Sequence, residues 1–491
     1  MLKKLLSLLT DTATYGVGGM LANLVGFLLL PLYTRYLSPT DFGLLTLLQV
    51  IVAVFEPIAN LGVANALFRR LNQAQDEAER ELVAGTAALS SIVTSLAFLS
   101  LSVAFASQVS NAVLGRSTSS DVLFVKLTLV NAALTAIATI PQFTLRAQRR
   151  VRMQAGLNLF YVVGTAAFSV PLVVVFDWGV AGAVWGNLIA QSLQLVLLFW
   201  ATRRSISLKF SWATWQSMAR FGLPLVPYRL QALGLLVLAQ YIVGHRLGLV
   251  EAGLFGVASR FVVPISAVVG AVASAWAPFK FQIHREDPDP AHFFRSIAVY
   301  FFMLLSTLWV GVSLAGPEVL RFMTGARFHG AALLIPVLAL TPVIRGMYSM
   351  LTSGFELGDD TRLLPAVSGA GLVVAASGYF LAPVYGAVGP AIATALAWTL
   401  MTFLLNRLAQ RHFRVDHDWL TLAQTAVLAA VVCLVSVAIR PLPLPLRLAL
   451  EVLCGLTFPL CLLAILYRSK TEGARVRHAL PRVLGRLRAR S

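Results

Sequence analysis

Long apolar segments follow one another along almost the whole chain, separated by short polar stretches. An α-helix needs about twenty apolar residues to cross the hydrocarbon core of a bilayer. Lipid offers no hydrogen-bond partners, so each segment must satisfy its own backbone groups as a helix. The pattern predicts an all-α membrane protein with about fourteen spans, near residues 13–34, 43–67, 82–106, 122–145, 153–176, 180–201, 221–243, 251–278, 293–315, 328–351, 362–384, 386–408, 419–439 and 446–467.

The composition agrees with this topology. The chain is 58% hydrophobic and only 12% charged, whereas soluble domains carry about 25% charged residues. Its net charge of +18 would suggest nucleic acid in a soluble protein. If the N-terminus is cytoplasmic, however, 28 of the Lys and Arg residues outside the spans or near the span ends face the cytoplasm and 8 face the other side. This is the bias expected of a membrane protein. We therefore expect cytoplasmic termini and no nucleic-acid partner.

Both ends of the chain carry basic amphipathic patterns. Residues 1–12 predict a short amphipathic helix leading into the first span. In the tail, residues 468–491, apolar residues recur at roughly helical spacing among arginines. We expect the tail to rest on anionic lipid head groups.

The chain repeats itself at an offset of 210 residues. RYLSPTDFGLL (35–45) is echoed by HRLGLVEAGLF (245–255), which aligns Gly43 with Gly253. Two further echoes follow in order at nearly the same offset. Because six spans is an even number, the two halves would have the same orientation and be related by an axis along the membrane normal. We predict an N-terminal lobe at 13–201, a C-terminal lobe at 221–408 and a last helix pair within 419–467.

Four charged residues lie inside predicted spans and well away from the span ends. Arg229, Arg260 and Arg345 lie in spans seven, eight and ten, and Glu56 lies in span two. Each arginine near a helix centre costs about 2.5–3.5 kcal/mol, so such residues normally face a water-filled cavity or a partner. Arg345 could instead snorkel to the nearby cytoplasmic surface, and Glu56 could neutralise one arginine. Since one acid cannot neutralise three arginines, we expect a net positive cavity.

A positive cavity lined by arginine indicates an anionic cargo. The planar guanidinium binds two phosphate oxygens at once and stays charged, so we expect a phosphate or pyrophosphate. Glu56 would couple transport to H⁺ or Na⁺, or gate it by pairing with an arginine. Other polar residues near this path could contact hydroxyl groups or form helix–helix hydrogen bonds: Asn23, Gln49, Asn60, Asn65, Gln231 and Gln240.

Motifs for energy-coupled or catalytic chemistry do not occur in the sequence. There is no G-x-x-x-x-G-K-[ST], no H-E-x-x-H and no G-x-S-x-G. The stretch HREDPDPAH (284–292) contains two histidines and acids, but its two prolines favour a solvated loop over a metal site. We expect a secondary transporter that is not an enzyme, has no cofactor or metal, and is driven by an H⁺ or Na⁺ gradient or by the membrane potential.

The segments LLLPLYTRYLSPTDFGLLTLLQVI (28–51) and NLGVANALFRR (60–70) also carry a family likeness. They resemble the polysaccharide-transport, Wzx-type oligosaccharide flippases of the multidrug/oligosaccharidyl-lipid/polysaccharide exporter superfamily. The resemblance implies a carrier of the bacterial inner membrane that moves an undecaprenyl-pyrophosphate-linked O-antigen or exopolysaccharide repeat unit from the inner to the outer leaflet. It also implies two lobes alternating access around a cationic cavity. On the same resemblance we expect glycan polymerase or assembly proteins as partners.

Three other functions remain open at this point. A lipid II flippase would share the spans and the cationic cavity. A multidrug antiporter would need net acid in the cavity for its cationic drugs. A non-transporting scaffold of a glycan-assembly complex would not depend on the arginines within the spans.

Overall fold

A computed structural model describes residue 27 and residues 29–286, 289–352 and 363–469. Every regular element in these ranges is helical, so the predicted all-α architecture is confirmed. The α-helices are α1 Leu30–Tyr36, α2 Pro39–Ala59, α3 Val63–Gln73, α4 Glu77–Ala104, α5 Ala106–Leu114, α6 Ser119–Ala147, α7 Val151–Val174, α8 Gly179–Thr202, α9 Trp212–Gly222, α10 Leu225–Leu247, α11 Leu249–Arg260, α12 Val263–Glu286, α13 Pro290–Met323, α14 Ile335–Leu351, α15 Leu364–Ala376, α16 Gly378–Tyr385, α17 Val388–His412, α18 Trp419–Ala438 and α19 Leu444–Arg468. A 3₁₀ helix, Ala326–Leu333, precedes α14.

Ten helices in the described ranges are long and apolar enough to cross a membrane, or up to twelve if two interrupted helix pairs each count as one span. The first predicted span, near 13–34, lies largely outside the described residues. The count of fourteen therefore stays a prediction. The predicted amphipathic segment 1–12 also lies outside the described residues, as does the basic tail 468–491 beyond Ser469.

The chain divides into two compact units, which we call the first and the second unit. The first contains the chain up to Arg260 together with Met323–Ala331 and Leu363–Ala397. Aromatic and aliphatic side chains from α12, α13, α14, α18 and α19 form the core of the second, with Trp276, Trp309 and Phe458 among the buried residues. The predicted lobes, 13–201 and 221–408, stay a prediction.

The repeated stretches meet each other inside the first unit. A Cβ atom on Gly43 of α2 would lie 1.8 Å from the carbonyl oxygen of Leu249, and one on Gly253 of α11 would lie 2.0 Å from that of Pro39. Because residue 249 corresponds to residue 39 at the offset of 210, the contact is reciprocal, as two-fold-related copies require. The repeated glycines thus allow two equivalent helices to touch backbone to backbone.

Helix α2 begins and ends at local sequence signals. Ser38 and Asp41 form a capping box at its start, where each side chain binds the other residue's backbone N–H. The predicted second span, 43–67, does not run through, because the chain turns between Ala59 and Val63. Gly62 has a φ of 70°, and a Cβ there would lie 2.1 Å from the carbonyl oxygen of Gly222, so the turn needs glycine.

Candidate functional site

A cavity of about 300 Å³ lies within the first unit, between α1, α2, α6, α7, α8 and the end of α11. Helix α2 contributes residues spaced three or four apart, which places them on one face of the helix. The polar or charged side chains that line the cavity are Tyr33, Thr46, Gln49, Thr128, Asn131, Tyr161, Thr165, Asn187 and Arg260. Of the lining residues that the structure describes, Arg260 is the only charged one, and none is acidic. We call this cavity the Arg260 cavity.

Arg260 occupies the last position of α11. The sequence predicted it well inside one continuous span, 251–278, whereas the structure ends α11 here and begins α12 at Val263. Pro264 supplies a reason, because proline has no N–H to donate to the carbonyl of Arg260 four residues earlier. A cation is favourable at a helix C-terminus, where the carbonyl groups carry partial negative charge. The charge of Arg260 therefore costs less free energy at the end of α11 than it would in the middle of a helix.

Two tyrosines are held in the cavity wall by hydrogen bonds between helices. The hydroxyls of Tyr33 and Ser169 lie 2.5 Å apart. Since the Ser169 hydroxyl also donates to the carbonyl oxygen of Thr165, Tyr33 is the donor of this pair. Tyr161 donates to the amide oxygen of Asn187 at 3.2 Å. These bonds join α1 to α7 and α7 to α8, and they orient the phenol groups along the wall.

Asn131 brings an unused acceptor to the same cavity. Its Oδ1 atom is buried and has no hydrogen-bond partner within the described part of the chain. Leaving a buried polar atom unpaired costs about 1–3 kcal/mol, so native proteins rarely do so without a reason. A hydroxyl group of a bound molecule would satisfy this oxygen. The cavity can thus hold an anionic group at Arg260 and hydroxyl groups at neutral amides and phenols.

Of the predicted site residues, the structure brings Arg260 and Gln49 to this cavity. Sequence reasoning missed most of the polar wall, because it looked for charges in apolar segments and not for neutral polar residues. One available signal was the pair of Tyr161 and Thr165, which are four residues apart and therefore lie on the same face of the helix. The missed polar residues are Tyr33, Thr46, Thr128, Asn131, Tyr161, Thr165 and Asn187.

Glu56 lies in a separate polar network within the first unit. Its carboxylate accepts hydrogen bonds from the Asn60 amide at 2.9 Å and from the Thr139 hydroxyl at 3.4 Å. The Ser91 hydroxyl donates in turn to Asn60 at 2.9 Å. Among the residues described, no arginine or lysine pairs with Glu56. Its pairing with an arginine stays a hypothesis.

The remaining predicted residues lie elsewhere in the chain. Arg345 belongs to the second unit, where its guanidinium carbon is 6.0 Å from the Trp398 ring centre and the side chain is exposed. Gln231 and Gln240 are half-buried on α10, and the amide oxygen of Gln231 has no partner in the described residues. Three predicted contacts are not described at the side-chain level: Asn23, Asn65 and Arg229.

Comparison with known proteins places the chain in context. The family model described as "Polysaccharide biosynthesis protein" matches residues 32–333, which is more than half of the 491-residue chain. No curated protein sequence matches the chain.

Several solved structures share its fold. The lipid II flippase MurJ in an inward closed conformation is 12% identical, with a TM-score of 0.75, and the match covers 92% of this chain and 98% of that one. An inward-facing multidrug resistance MATE family transporter is 14% identical, with a TM-score of 0.64, over 81% and 94% of the two chains. A MOP superfamily transporter from Pyrococcus furiosus is 14% identical, with a TM-score of 0.54, over 82% and 95%. At such identities the likeness concerns the fold alone.

Proposed function

The chain belongs to the family of polysaccharide biosynthesis proteins, and on that basis we propose that it is a flippase for a lipid-linked oligosaccharide. Its cargo would be a repeat unit joined to undecaprenyl pyrophosphate, which it moves from the cytoplasmic to the outer leaflet of a bacterial inner membrane by alternating access. The sequence resemblance, the polytopic helical fold and the chemistry of the Arg260 cavity support this proposal.

The observation that carries the proposal is the combination of one arginine with neutral polar groups in a single cavity. Arg260 provides planar donors for pyrophosphate oxygens. The unpaired oxygen of Asn131 and the phenols of Tyr33 and Tyr161 suit the hydroxyl groups of a sugar. A cavity of about 300 Å³ holds a pyrophosphate with part of the first sugar, while the lipid tail stays in the bilayer.

The same observation argues against the export of cationic drugs. A cation near Arg260 would be repelled, and the described lining offers no acid to compensate. The chemistry does not distinguish an oligosaccharide carrier from a lipid II carrier, because both substrates join a pyrophosphate to sugars. Complementation separates the two. We expect restored surface glycan in a strain lacking its oligosaccharide flippase, and no rescue of a strain depleted of its lipid II flippase.

Glu56 is the candidate for coupling transport to an ion gradient. Its carboxylate is half-buried on α2, the helix that also lines the Arg260 cavity, and it is bound by two neutral donors. Uptake of H⁺ or Na⁺ would remove its charge and rearrange the hydrogen bonds to Asn60 and Thr139. In this scheme the H⁺ or Na⁺ gradient, or the membrane potential, supplies the driving force.

Substitution of Arg260 tests the proposal. We expect Arg260→Ala to abolish surface glycan display and to accumulate the lipid-linked precursor on the cytoplasmic side. Arg260→Lys keeps a charge without the two-pronged geometry, so it should retain partial activity. Arg204→Ala, an exposed arginine at the end of α8, is the matched control. Normal glycan display from well-expressed Arg260→Ala would refute the assignment of this cavity as the cargo site, and would favour a scaffold role.

A further inference from the structure

A second and larger cavity, of about 860 Å³, lies within the second unit. It opens beside the end of α17 and is bounded by α13, α14 and the segment 413–418 that joins α17 to α18. We call it the α17 cavity. None of the residues predicted as a site from the sequence lines it among those described, and the proposed transport function does not use it.

The rim of the α17 cavity is cationic. Arg407, Arg411 and Arg414 line it, and all three side chains are exposed. Asp416 is the one acidic residue in the described lining, and it pairs with Arg414 at 3.5 Å. The guanidinium of Arg407 lies 5.0 Å from the ring centre of Phe403. One carboxylate against three arginines leaves the rim with a net charge of about +2 at neutral pH.

Behind this rim the wall is apolar. Phe302, Ile344, Met347 and Leu351 from α13 and α14 form one side of the cavity. An inorganic anion makes no favourable contact with such a surface, whereas the acyl chain of a membrane lipid packs against it by van der Waals contact. The combination therefore selects for an amphiphile with a negatively charged head.

A buried polar side chain also points to a ligand. His417 is only 9% exposed and lines the cavity, and its Nδ1 atom has no hydrogen-bond partner in the described part of the chain. The segment that carries it is held in place by Gln410, whose side chain bonds the N–H and the carbonyl oxygen of Val415 at 2.9 and 3.0 Å. The unpaired nitrogen therefore belongs to a segment with a fixed backbone, and an oxygen atom of a bound head group would supply the partner that it lacks among the described residues.

We propose that the α17 cavity binds the phosphate head group of an anionic membrane phospholipid. The rim arginines contact the phosphate, His417 bonds one of its oxygens, and the first carbons of the acyl chain lie on the apolar wall. The charge bias assigns this end of α17 to the cytoplasmic side, where anionic lipids give the leaflet its negative surface potential. Basic pockets between membrane helices on that side suit such head groups.

The experiment compares lipid binding by the purified full-length protein and by two double variants. Phosphatidylglycerol and the zwitterionic phosphatidylcholine are titrated separately, and bound lipids are counted by native mass spectrometry. Arg411→Gln with Arg414→Gln removes two rim charges. The control, Arg203→Gln with Arg204→Gln, removes two exposed arginines at the end of α8, outside the cavity. Both pairs lower the net charge equally, and melting curves without lipid check that each variant folds.

We expect phosphatidylglycerol affinity to fall about 30-fold in the rim variant, at roughly five- to sixfold for each arginine lost, and less than about twofold in the control. Phosphatidylcholine binding should not change in either variant. Equal losses in both double variants would overturn the proposal, since the effect would then be one of net charge. Full competition by inorganic phosphate alone would also overturn it, because the apolar wall would then contribute nothing. So would a rim variant that loses a polyprenyl pyrophosphate but keeps phosphatidylglycerol, which would assign the cavity to the transported lipid.

Discussion

At the scale of single residues, the Arg260 cavity contains a polar atom that costs the fold free energy. The buried Oδ1 of Asn131 has no partner among the described residues. Binding sites commonly hold such groups, because an unpaired acceptor gains a hydrogen bond only when the ligand arrives. The Asn131 side chain should therefore lower the stability of the protein and raise its affinity for the cargo.

Asn131→Leu separates these two contributions. We expect the variant to melt at the same temperature as the wild-type protein or higher, because the unpaired amide oxygen is gone. Glycan export should fall severalfold, since a hydroxyl contact of the cargo is lost. The readouts are the melting temperature in detergent and the amount of surface glycan at equal protein level. Unchanged export would show that no cargo hydroxyl reaches Asn131.

A second residue-scale prediction concerns His417, which lies in the segment between α17 and α18. Burial, helped by the neighbouring charge of Arg295 and opposed by Asp416, lowers the pKa of His417 to about 4. The unfolded segment, with a pKa near 6.5, takes up a proton first as the pH falls. The contribution of His417 to the free energy of unfolding is thus fully present above pH 6.5. It is lost as the pH falls from about 6.5 to 4, by roughly 3 kcal/mol in total.

Comparison with His417→Gln measures this loss, because glutamine does not titrate. The difference in melting temperature between wild-type protein and variant should shrink or reverse as the pH falls from 7 to 4. A difference that stays constant over this range would mean that His417 keeps an ordinary pKa in the folded protein.

At the scale of helices, the contact between α2 and α11 depends on two glycines. Methyl groups on Gly43 or Gly253 would lie 1.8 and 2.0 Å from backbone carbonyl oxygens, so the helices would have to separate. Overpacking of this kind typically costs about 1–3 kcal/mol. We call the state in which α2 and α11 touch the closed arrangement. An alanine at either position would destabilise the closed arrangement by that amount, relative to any state in which the two helices separate.

We expect Gly43→Ala and Gly253→Ala to lower the melting temperature by similar amounts, since the contact is reciprocal. Export should fall in both, because the population of the closed arrangement falls. The matched control is Gly156→Ala on α7, where a Cβ would meet nothing within 4 Å. The control should melt no lower than the wild-type protein, because alanine favours helix over glycine. Equal melting temperatures for all three variants would contradict the tight contact.

At the scale of the whole molecule, the distribution of basic residues predicts which loops face the cytoplasm. Ser117 lies in a predicted outer loop and Lys209 in a predicted cytoplasmic one, and both are exposed. In a variant with Cys433, Cys454 and Cys461 replaced by alanine, we expect a membrane-impermeant maleimide to label Ser117→Cys on intact cells. Lys209→Cys should react only after the cells are opened. Labelling of Lys209→Cys on intact cells would overturn the predicted topology.

The sequence by itself determined the helical membrane architecture, the family and the repeat. The architecture follows from composition and periodicity, because lipid forces each long apolar segment to be a helix whatever its neighbours are. The family likeness lay in the segments 28–51 and 60–70. Arg260 could be singled out for the same reason, since a charge in an apolar segment is costly in any packing. The repeat aligned Gly43 with Gly253 at an offset of 210 residues, whereas the close contact that these glycines allow came from the structure.

Tertiary structure alone decided which polar groups share a cavity. Tyr33 and Ser169 are 136 residues apart in the chain, and only the packing of α1 against α7 brings their hydroxyls together. Packing likewise placed Arg260 and Asn131 in the wall of one cavity, put Glu56 with Asn60 and Thr139, and set Arg345 in the other unit. The sequence of a membrane helix does not distinguish a neutral polar residue that bonds a neighbouring helix from one that faces a ligand. The direction in which it points depends on the rotation of its helix, which its neighbours in space determine.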